Sequence, residues 1–541
     1  MSVPGSPAAD RSAGKRVVFA FAALTVLGIW PALTNGMPFY YADTTTYVRG
    51  ADLAISKALG RRFRTDWAKD QRRIIQPQIS VPFAEVPGSS AAQRKAGGRV
   101  VLAGRSIAYG TLLYFGEVLG GMWFSVIIQS LVAAYMVFVF TVRTLGLDFR
   151  HFVISYAVLM IASPLPFVSS LLMPDVFAGF LILGFAILAT GWDRLSRIER
   201  AITAAVVLFS VLSHTTHLTL LLALTILTVA YVVLVNRSQW TRVRWLMAAL
   251  AACVVIAVLW EAGFYFAVSR AFGSPPVRPP FVTAKLVSML GEPAVARVCE
   301  SNAFVVCRFQ DRFPITAESF LWSEDERIGI FSVVDAQTKR LLGEEQLRFA
   351  RTIIPPNLGH FVAGACLDTL RQLISIGLTD YSYHPADSNY YRLRLPPDHY
   401  DRMTSALAAR SDVYVVFGRE VLCATTAIGA IITVLLLVGV LRPREVPGAN
   451  ETDQGRIWRA ATYIQLAGIV LNAIICGSLG TVQPRYQTRV AWLIQLSLVT
   501  GMVLVWRRKV PERSLGRARA HRKITIEPGS QDVSDDRVYQ D

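Results

Sequence analysis

The sequence predicts an all-α polytopic membrane protein with about ten transmembrane helices, and three observations support this fold class. First, 53% of its 541 residues are hydrophobic and the mean hydropathy is +0.41, whereas a soluble domain is about 45–50% apolar. Second, several apolar runs reach the roughly 20 residues that are needed to cross a bilayer. Third, arginine is concentrated in one alternating set of short loops, as the positive-inside rule requires.

The predicted spans follow the apolar runs along the chain. They lie at about 17–35, 119–141, 151–170, 174–190, 201–213, 217–235, 245–268, 416–441, 459–480 and 490–506. The first run is interpreted as a retained helix, because no small-x-small cleavage site follows it before Asp43. The run at 201–213 is short for a full crossing, so we expect it to tilt or to stop below the surface.

Loop charge predicts the orientation. The loops RTLGLDFRH, GWDRLSRIERA and NRSQWTRVRW are rich in arginine, whereas SPLPFVSSLLMPD and SHTTH contain none. The first set and both termini are therefore predicted to be cytoplasmic.

The predicted divisions are a cytoplasmic N-terminus (1–16), a membrane domain (17–268) with a mainly helical periplasmic loop (36–118), a small, largely helical periplasmic subdomain (269–415), C-terminal transmembrane helices (416–506) and a cytoplasmic tail (507–541).

The net charge of +17 does not predict a nucleic-acid partner. No basic patch is interleaved with aromatic residues in a soluble domain, and the arginines flank the spans instead. A P-loop, an HExxH motif and a GxSxG motif are all absent from the sequence. The high content of Ala, Arg and Val leads us to expect a bacterial protein of the inner (plasma) membrane.

Cysteine spacing predicts one disulfide. Cys299 and Cys307 lie close together in the second long external segment, as CESNAFVVC, and the periplasm is oxidising. The alternative is two unpaired thiols. A zinc site is not expected, because no His/Cys cluster with ligand spacing accompanies the pair. The other four cysteines, which are interpreted as small apolar residues, are Cys253, Cys366, Cys423 and Cys476.

Polar residues gather at the predicted external ends of several spans. Ionisable groups near membrane depth are costly and are candidates for function. These candidates are Asp43, Asp175, His214, His217, Arg485, Tyr486 and Arg489. Structural interpretations also stay open: Asp175 suits a helix N-terminus, the histidines could be polar groups of an interfacial turn, and Arg485 could pair with an aspartate or bind lipid headgroups.

Two of these stretches resemble motifs of the GT-C superfamily of membrane glycosyltransferases. YYADTTTYVRGADL, which contains Asp43 and Tyr47, is similar to the first-loop motif, where an acidic residue is followed about four residues later by Tyr and then a helix. MPDVFAGFLILGFAIL, which contains Asp175, resembles the second acidic motif. The layout is similar to that of the aminoarabinose transferases of lipid A and the protein O-mannosyltransferases. By motif the resemblance covers about the first 235 residues.

The resemblance implies an inverting transfer of a sugar from a polyprenyl-phosphate donor to a glycan, lipid or protein acceptor at the outer membrane face. Asp43 would be the general base and Asp175 would orient a reactant. The implied substrate-binding residues are Tyr47, His214, His217, Arg485, Tyr486 and Arg489, with the arginines on the phosphate. No cofactor is assigned. A divalent cation stays open, because the family motif often has two adjacent acids where this chain has Asp43 and Thr44.

Two other functions fit the same sequence. Ten spans also suit a transporter or a flippase of a lipid-linked glycan. Carriers place charged sites near the bilayer midplane and often show paired repeats. In this chain the charges gather at one face, with Glu261 as the main exception, and the halves do not visibly repeat. A non-catalytic role in envelope assembly is the third hypothesis. Membrane lipids are expected partners in each case.

Overall fold

The structure, a computed structural model, describes residues 7–69, 101–104, 106–234, 240–440 and 453–509. Within these ranges the protein consists of α-helices with short 3₁₀ and π turns, and it contains two isolated β-bridges but no strand. The predicted all-α class is therefore confirmed for the described residues. Parts of the predicted N-terminus (1–6), of the first loop (70–100 and 105) and of the tail (510–541) lie outside them, as do 235–239 and 441–452.

The helices are numbered along the chain. They are α1 (Pro7–Leu27), α2 (Trp30–Asn35), α3 (Thr44–Leu59), α4 (Asp66–Lys69), α5 (Ile107–Gly120), α6 (Met122–Phe138), α7 (Phe149–Ala162), α8 (Leu165–Ser170), α9 (Val176–Gly191), α10 (Arg197–Ser213), α11 (Thr215–Leu234), α12 (Trp240–Phe272), α13 (Phe281–Ser301), α14 (Ala317–Trp322), α15 (Ala336–Ile353), α16 (Leu358–Ile374), α17 (Pro385–Arg394), α18 (Pro397–Ser405), α19 (Leu407–Arg410), α20 (Val413–Phe417), α21 (Cys423–Leu437), α22 (Asp453–Leu479) and α23 (Pro484–Lys509).

Seven helical stretches of the described chain are long and apolar enough to cross a membrane, so the protein is membrane-embedded. They are Met122–Thr144, Val176–Arg194, Thr215–Leu234, Arg244–Phe272, Val413–Leu437, Asp453–Leu479 and Pro484–Arg507. Each corresponds to one predicted span. The other three predicted spans, at 17–35, 151–170 and 201–213, are not among these seven, so the total of ten stays a prediction.

Proline divides two of the predicted spans into separate helices. The predicted span at 151–170 consists of α7 and α8, because Pro164 and Pro166 lack the N–H that an α-helix needs. The first predicted span is divided between α1 and α2, with Pro31 in the first turn of α2. At Gly28, between these two helices, a Cβ atom would lie 2.1 Å from the Ser130 hydroxyl oxygen of α6.

Helix α9 forms the centre of the bundle. Almost all of its residues are buried, and its composition is apolar on every side. Gly179 lies against the indole of Trp492 on α23, and Gly184 lies against Val207 on α10. These contacts place the N-terminus of α9, which follows Asp175 directly, next to the N-terminal half of α23.

The predicted subdomain 269–415 does not form one unit. Residues between Val277 and Ile353 form a separate hydrophobic core, which also contains the disulfide between Cys299 and Cys307, with Cα atoms 5.6 Å apart. In contrast, apolar residues between Leu378 and Tyr414 pack into the main core of the membrane domain. The second half of the predicted subdomain therefore belongs to the structure that surrounds the candidate site.

Helix α16 packs on α22 at very short range. A Cβ atom on Gly477 would lie 2.7 Å from the backbone oxygen of Asp368. A backbone atom cannot move away as the end of a flexible side chain can, so this position requires glycine.

Gly477→Ala is therefore expected to lower the free energy of unfolding by about 1–3 kcal/mol, as overpacking does. Thermal unfolding in detergent measures this change. The matched control is Gly263→Ala on α12, where no atom lies within 4 Å of the new Cβ and alanine favours the helix. Equal melting temperatures for the two variants would contradict the proposed close contact.

Candidate functional site

The backbone brings two of the predicted site segments side by side. The amide of Phe39 donates to the carbonyl of Ser170 over 3.0 Å, and the amide of Leu172 donates to the carbonyl of Phe39 over 2.9 Å. This short bridge joins the stretch before Asp43 to the stretch before Asp175. Both aspartates therefore follow neighbouring segments at one end of the bundle.

Asp175 lies between two arginines of α23. Its carboxyl group is buried, with 3% of the residue exposed. Its Oδ1 atom lies 3.4 Å from Nη1 of Arg489 and 3.8 Å from Nε of Arg485. The helix begins at Pro484, which suits a first turn, and residues four apart share one helix face. Both guanidinium groups therefore face the same buried carboxylate.

Arg489 is held by further partners in the core. Its Nη2 donates to Oδ1 of Asn472 over 2.9 Å and approaches the Cys476 sulfur at 3.3 Å. Asn472 also donates to the backbone carbonyl of Tyr486 over 2.7 Å. With Asp175 on its other side, Arg489 is held between α9 and α22, although its Nε has no hydrogen-bond partner among the described residues.

Arg485 is differently placed. Only 7% of the residue is exposed, yet neither Nε nor Nη1 has a hydrogen-bond partner among the described residues. Its guanidinium carbon lies 3.9 Å from the ring centroid of Tyr41 and 5.2 Å from that of Tyr486, at cation–π distance. A buried cation with unmatched donors is costly, and an oxygen anion would supply the missing acceptors.

A second carboxylate, Asp380, completes this cluster and was missed by the sequence analysis. We call these four residues the arginine cluster: Asp175, Asp380, Arg485 and Arg489. Its Oδ2 lies 4.0 Å from Nε of Arg485. Its segment is fixed to α23, because Thr488 donates its hydroxyl proton to the carbonyl of Gly377 over 3.0 Å. Burial raises the pKa of Asp380 above its ordinary value; the nearby Arg485 opposes the increase and Asp175 reinforces it. A protonated Asp380 would leave the cluster with an excess of positive charge.

Asp43 lies at the start of α3 and is half-buried. Its charge acts on the hydroxyl of Tyr41, together with those of Arg485 and Asp380, so all four groups lie in one electrostatic environment. The pKa of Tyr41 is raised, chiefly by burial. Asp43 and Arg485 therefore act on the same tyrosine hydroxyl.

Three other predicted site residues lie outside the cluster around Arg485, and their substrate-binding role stays a prediction. Tyr47 is buried, with its ring 5.4 Å from that of Tyr109. His217 is also buried, and its Nδ1 lies 2.7 Å from the carbonyl oxygen of Ser210. The turn predicted at SHTTH is shorter than expected, because α11 already begins at Thr215 and includes His217. His214 precedes that helix and is half-buried.

A second polar cluster lies on the other side of the first-loop segment. The Tyr40 hydroxyl lies 2.6 Å from Nδ1 of His399, and Nε2 of His399 lies 3.0 Å from Oε1 of Glu117. These side chains line a cavity of about 440 Å³, together with Trp123. Adjacent residues of an extended segment point in opposite directions, which explains why Tyr40 faces this cavity whereas Tyr41 faces the arginine cluster. The sequence contained no local signal for these partners.

In the described parts of the chain, no group of three or more His, Cys, Asp or Glu side chains is placed to hold a metal ion. Comparison with protein-family models, with curated proteins and with solved structures finds no match to this chain. The proposed function therefore rests on the geometry of the arginine cluster, that is, Asp175, Asp380, Arg485 and Arg489.

Asp175→Asn is expected to destabilise the protein by about 3–5 kcal/mol, because it leaves two buried guanidinium groups without their shared carboxylate. Thermal unfolding measures the loss. The control is Glu326→Gln, which removes an exposed carboxylate between α14 and α15 and should change stability by about 0–0.5 kcal/mol. Similar effects of the two substitutions would contradict the burial of this ion pair.

Asp380→Asn is expected to raise the melting temperature at about pH 8 and to change it little at about pH 4. With a raised folded-state pKa, the wild-type protein loses stability as the pH rises from the unfolded pKa of about 3.9 through the higher folded value. The side-chain amide of the introduced Asn carries no charge, so the variant does not lose this stability as the pH rises. The control is the exposed carboxylate of Asp401, replaced by Asn. A lower melting temperature for Asp380→Asn at about pH 8 would contradict the raised pKa.

Proposed function

We propose that this protein is a GT-C-like glycosyltransferase that transfers a sugar from a polyprenyl-phosphate donor to an envelope acceptor. The observation that carries the proposal is the buried guanidinium of Arg485, whose Nε and Nη1 have no hydrogen-bond partner in the part of the chain that the structure describes. It lies at the N-terminal end of a membrane-spanning helix, where the phosphate of a membrane-anchored lipid could reach it.

Phosphate suits this position for two reasons. The planar guanidinium group presents donors that match phosphate oxygens, and charge-assisted hydrogen bonds of this kind are strong. The cluster also carries two arginines against Asp175 and a second carboxylate, Asp380, whose pKa is raised by burial. A phosphate oxygen could accept from the Nε and Nη1 donors of Arg485 that have no partner among the described residues. Arg489 has one unmatched donor among the described residues, Nε, whereas Arg485 has two, Nε and Nη1, so Arg485 is the residue that we assign to the phosphate.

Asp43 is the proposed general base. Its position beside Tyr41 supports a role next to the phosphate group, and a carboxylate in hydrogen-bond reach of the acceptor typically contributes ~10²–10⁴ in rate. The acceptor hydroxyl oxygen forms a bond to the anomeric carbon while the bond from that carbon to the phosphate oxygen breaks. The proton passes to Asp43, polyprenyl phosphate leaves, and the anomeric configuration inverts.

The proposal includes a location: the bacterial inner membrane, with cytoplasmic termini and the arginine cluster at the periplasmic face. Its support is the distribution of arginine among the loops. Ion pairs at the opposite end of the bundle agree with this orientation, since they join arginine-rich segments. These pairs are Arg143 with Glu199, Arg194 with Asp453 and Arg507 with Asp148.

The experiment is a transfer assay in proteoliposomes that contain radiolabelled polyprenyl-phosphate sugar and an envelope extract as acceptor. Arg485→Gln and Asp43→Asn are each expected to reduce label transfer and the release of polyprenyl phosphate by about 10²-fold or more. The control is Arg327→Gln, an exposed arginine between α14 and α15, which should retain full transfer.

Two results would contradict the proposal. One is undiminished transfer by folded Arg485→Gln and Asp43→Asn proteins. The other is movement of intact labelled lipid across the bilayer without a covalent product, which would indicate a flippase.

A further inference from the structure

One face of α16 is apolar and uncovered. The side chains exposed along it recur every fourth residue: Leu358 (56% exposed), Val362 (49%), Cys366, Leu370 (61%) and Ile374 (79%). A spacing of four keeps side chains on one helical row. We call this row the α16 stripe. Such a continuous exposed apolar row indicates a surface that is covered by lipid or by another protein molecule.

The other face of α16 packs against the protein. Asp368 pairs with Lys285 over 2.8 Å on that side, and its backbone approaches Gly477 of α22. Near the end of the helix, Gln372 donates to the backbone carbonyl of Gln483 over 2.8 Å. The helix is therefore amphipathic, with its polar contacts directed towards the bundle and its apolar side directed away from it.

The neighbouring helix shows what surrounds the α16 stripe. α22 is long and apolar enough to span the membrane, and its own exposed side chains include Val470, Ile474 and Leu479. On α16, the exposed residues between His360 and Arg371 are all apolar or cysteine. An amphipathic helix packed on a span, with polar groups near its ends, fits the boundary between headgroups and acyl chains.

We infer that α16 lies in the lipid leaflet at the arginine-cluster end of the bundle, with the α16 stripe in contact with acyl chains. This differs from the sequence-based assignment of the segment to an aqueous subdomain. It also gives the membrane a direct link to the site, because Gln372 holds the backbone two residues before Arg485. The inference is independent of the reaction proposed above.

Cys366 provides the test, because it lies within the α16 stripe and is the exposed free cysteine of the chain. The full-length protein is labelled there with a thiol-reactive fluorophore and placed in phosphatidylcholine nanodiscs with or without lipids brominated on the acyl chain. The matched probe is Glu344→Cys in a Cys366→Ser background, an exposed position on α15. Cys366→Ser alone measures labelling of the other cysteines.

Brominated lipids are expected to quench most of the fluorescence at Cys366 and little at residue 344, whereas aqueous iodide should do the reverse. Equal iodide quenching at both positions, with no effect of bromine, would overturn the inference. Dimers cross-linked through Cys366 in nanodiscs, without lipid quenching, would also overturn it, since a second copy would then cover the α16 stripe.

Discussion

The fold around the candidate site depends on one buried carboxylate, that of Asp175. Removing a charged group from water is costly unless an opposite charge and good hydrogen bonds compensate for it. Asp175 meets this requirement with two arginines spaced one turn apart on α23. Because Asp175 directly precedes the central helix α9, the ion pair fixes the first turns of α9 and α23 relative to each other. The first-loop segment is then held against the same place by its bridge to Leu171.

The two arginines differ in the partners of their guanidinium groups, and the proposed function depends on this difference. Arg489 has Asp175, Asn472 and Cys476 around it, so a ligand would have to displace existing contacts. Arg485 is stacked on Tyr41 but retains unmatched donors. A buried guanidinium group with unmatched donors can bind an anion without first breaking hydrogen bonds that it already makes. Asp380 competes little for Arg485, since its Oδ2 lies 4.0 Å from Nε, beyond hydrogen-bond distance.

Sequence reasoning predicted the features that depend on local composition. The seven long apolar helices follow from runs of apolar residues. It did not predict features that packing or backbone chemistry decides: Pro164 and Pro166 divide one predicted span, and α16 exposes an apolar row of side chains. It also could not find Asp380, or the contact of Tyr40 with His399, because these partners are separated by more than a hundred residues in the chain and meet only in the folded protein.

The most direct test of the account is the equilibrium affinity of the purified protein for polyprenyl phosphate without sugar, which isolates anion binding from catalysis. Arg485→Gln should weaken binding about tenfold or more, since a charge-assisted hydrogen bond contributes ~1.5–3 kcal/mol. Asp380→Asn should bind at least as tightly as the wild type. Unchanged affinity in a folded Arg485→Gln protein would contradict the claim that this guanidinium is the anion site.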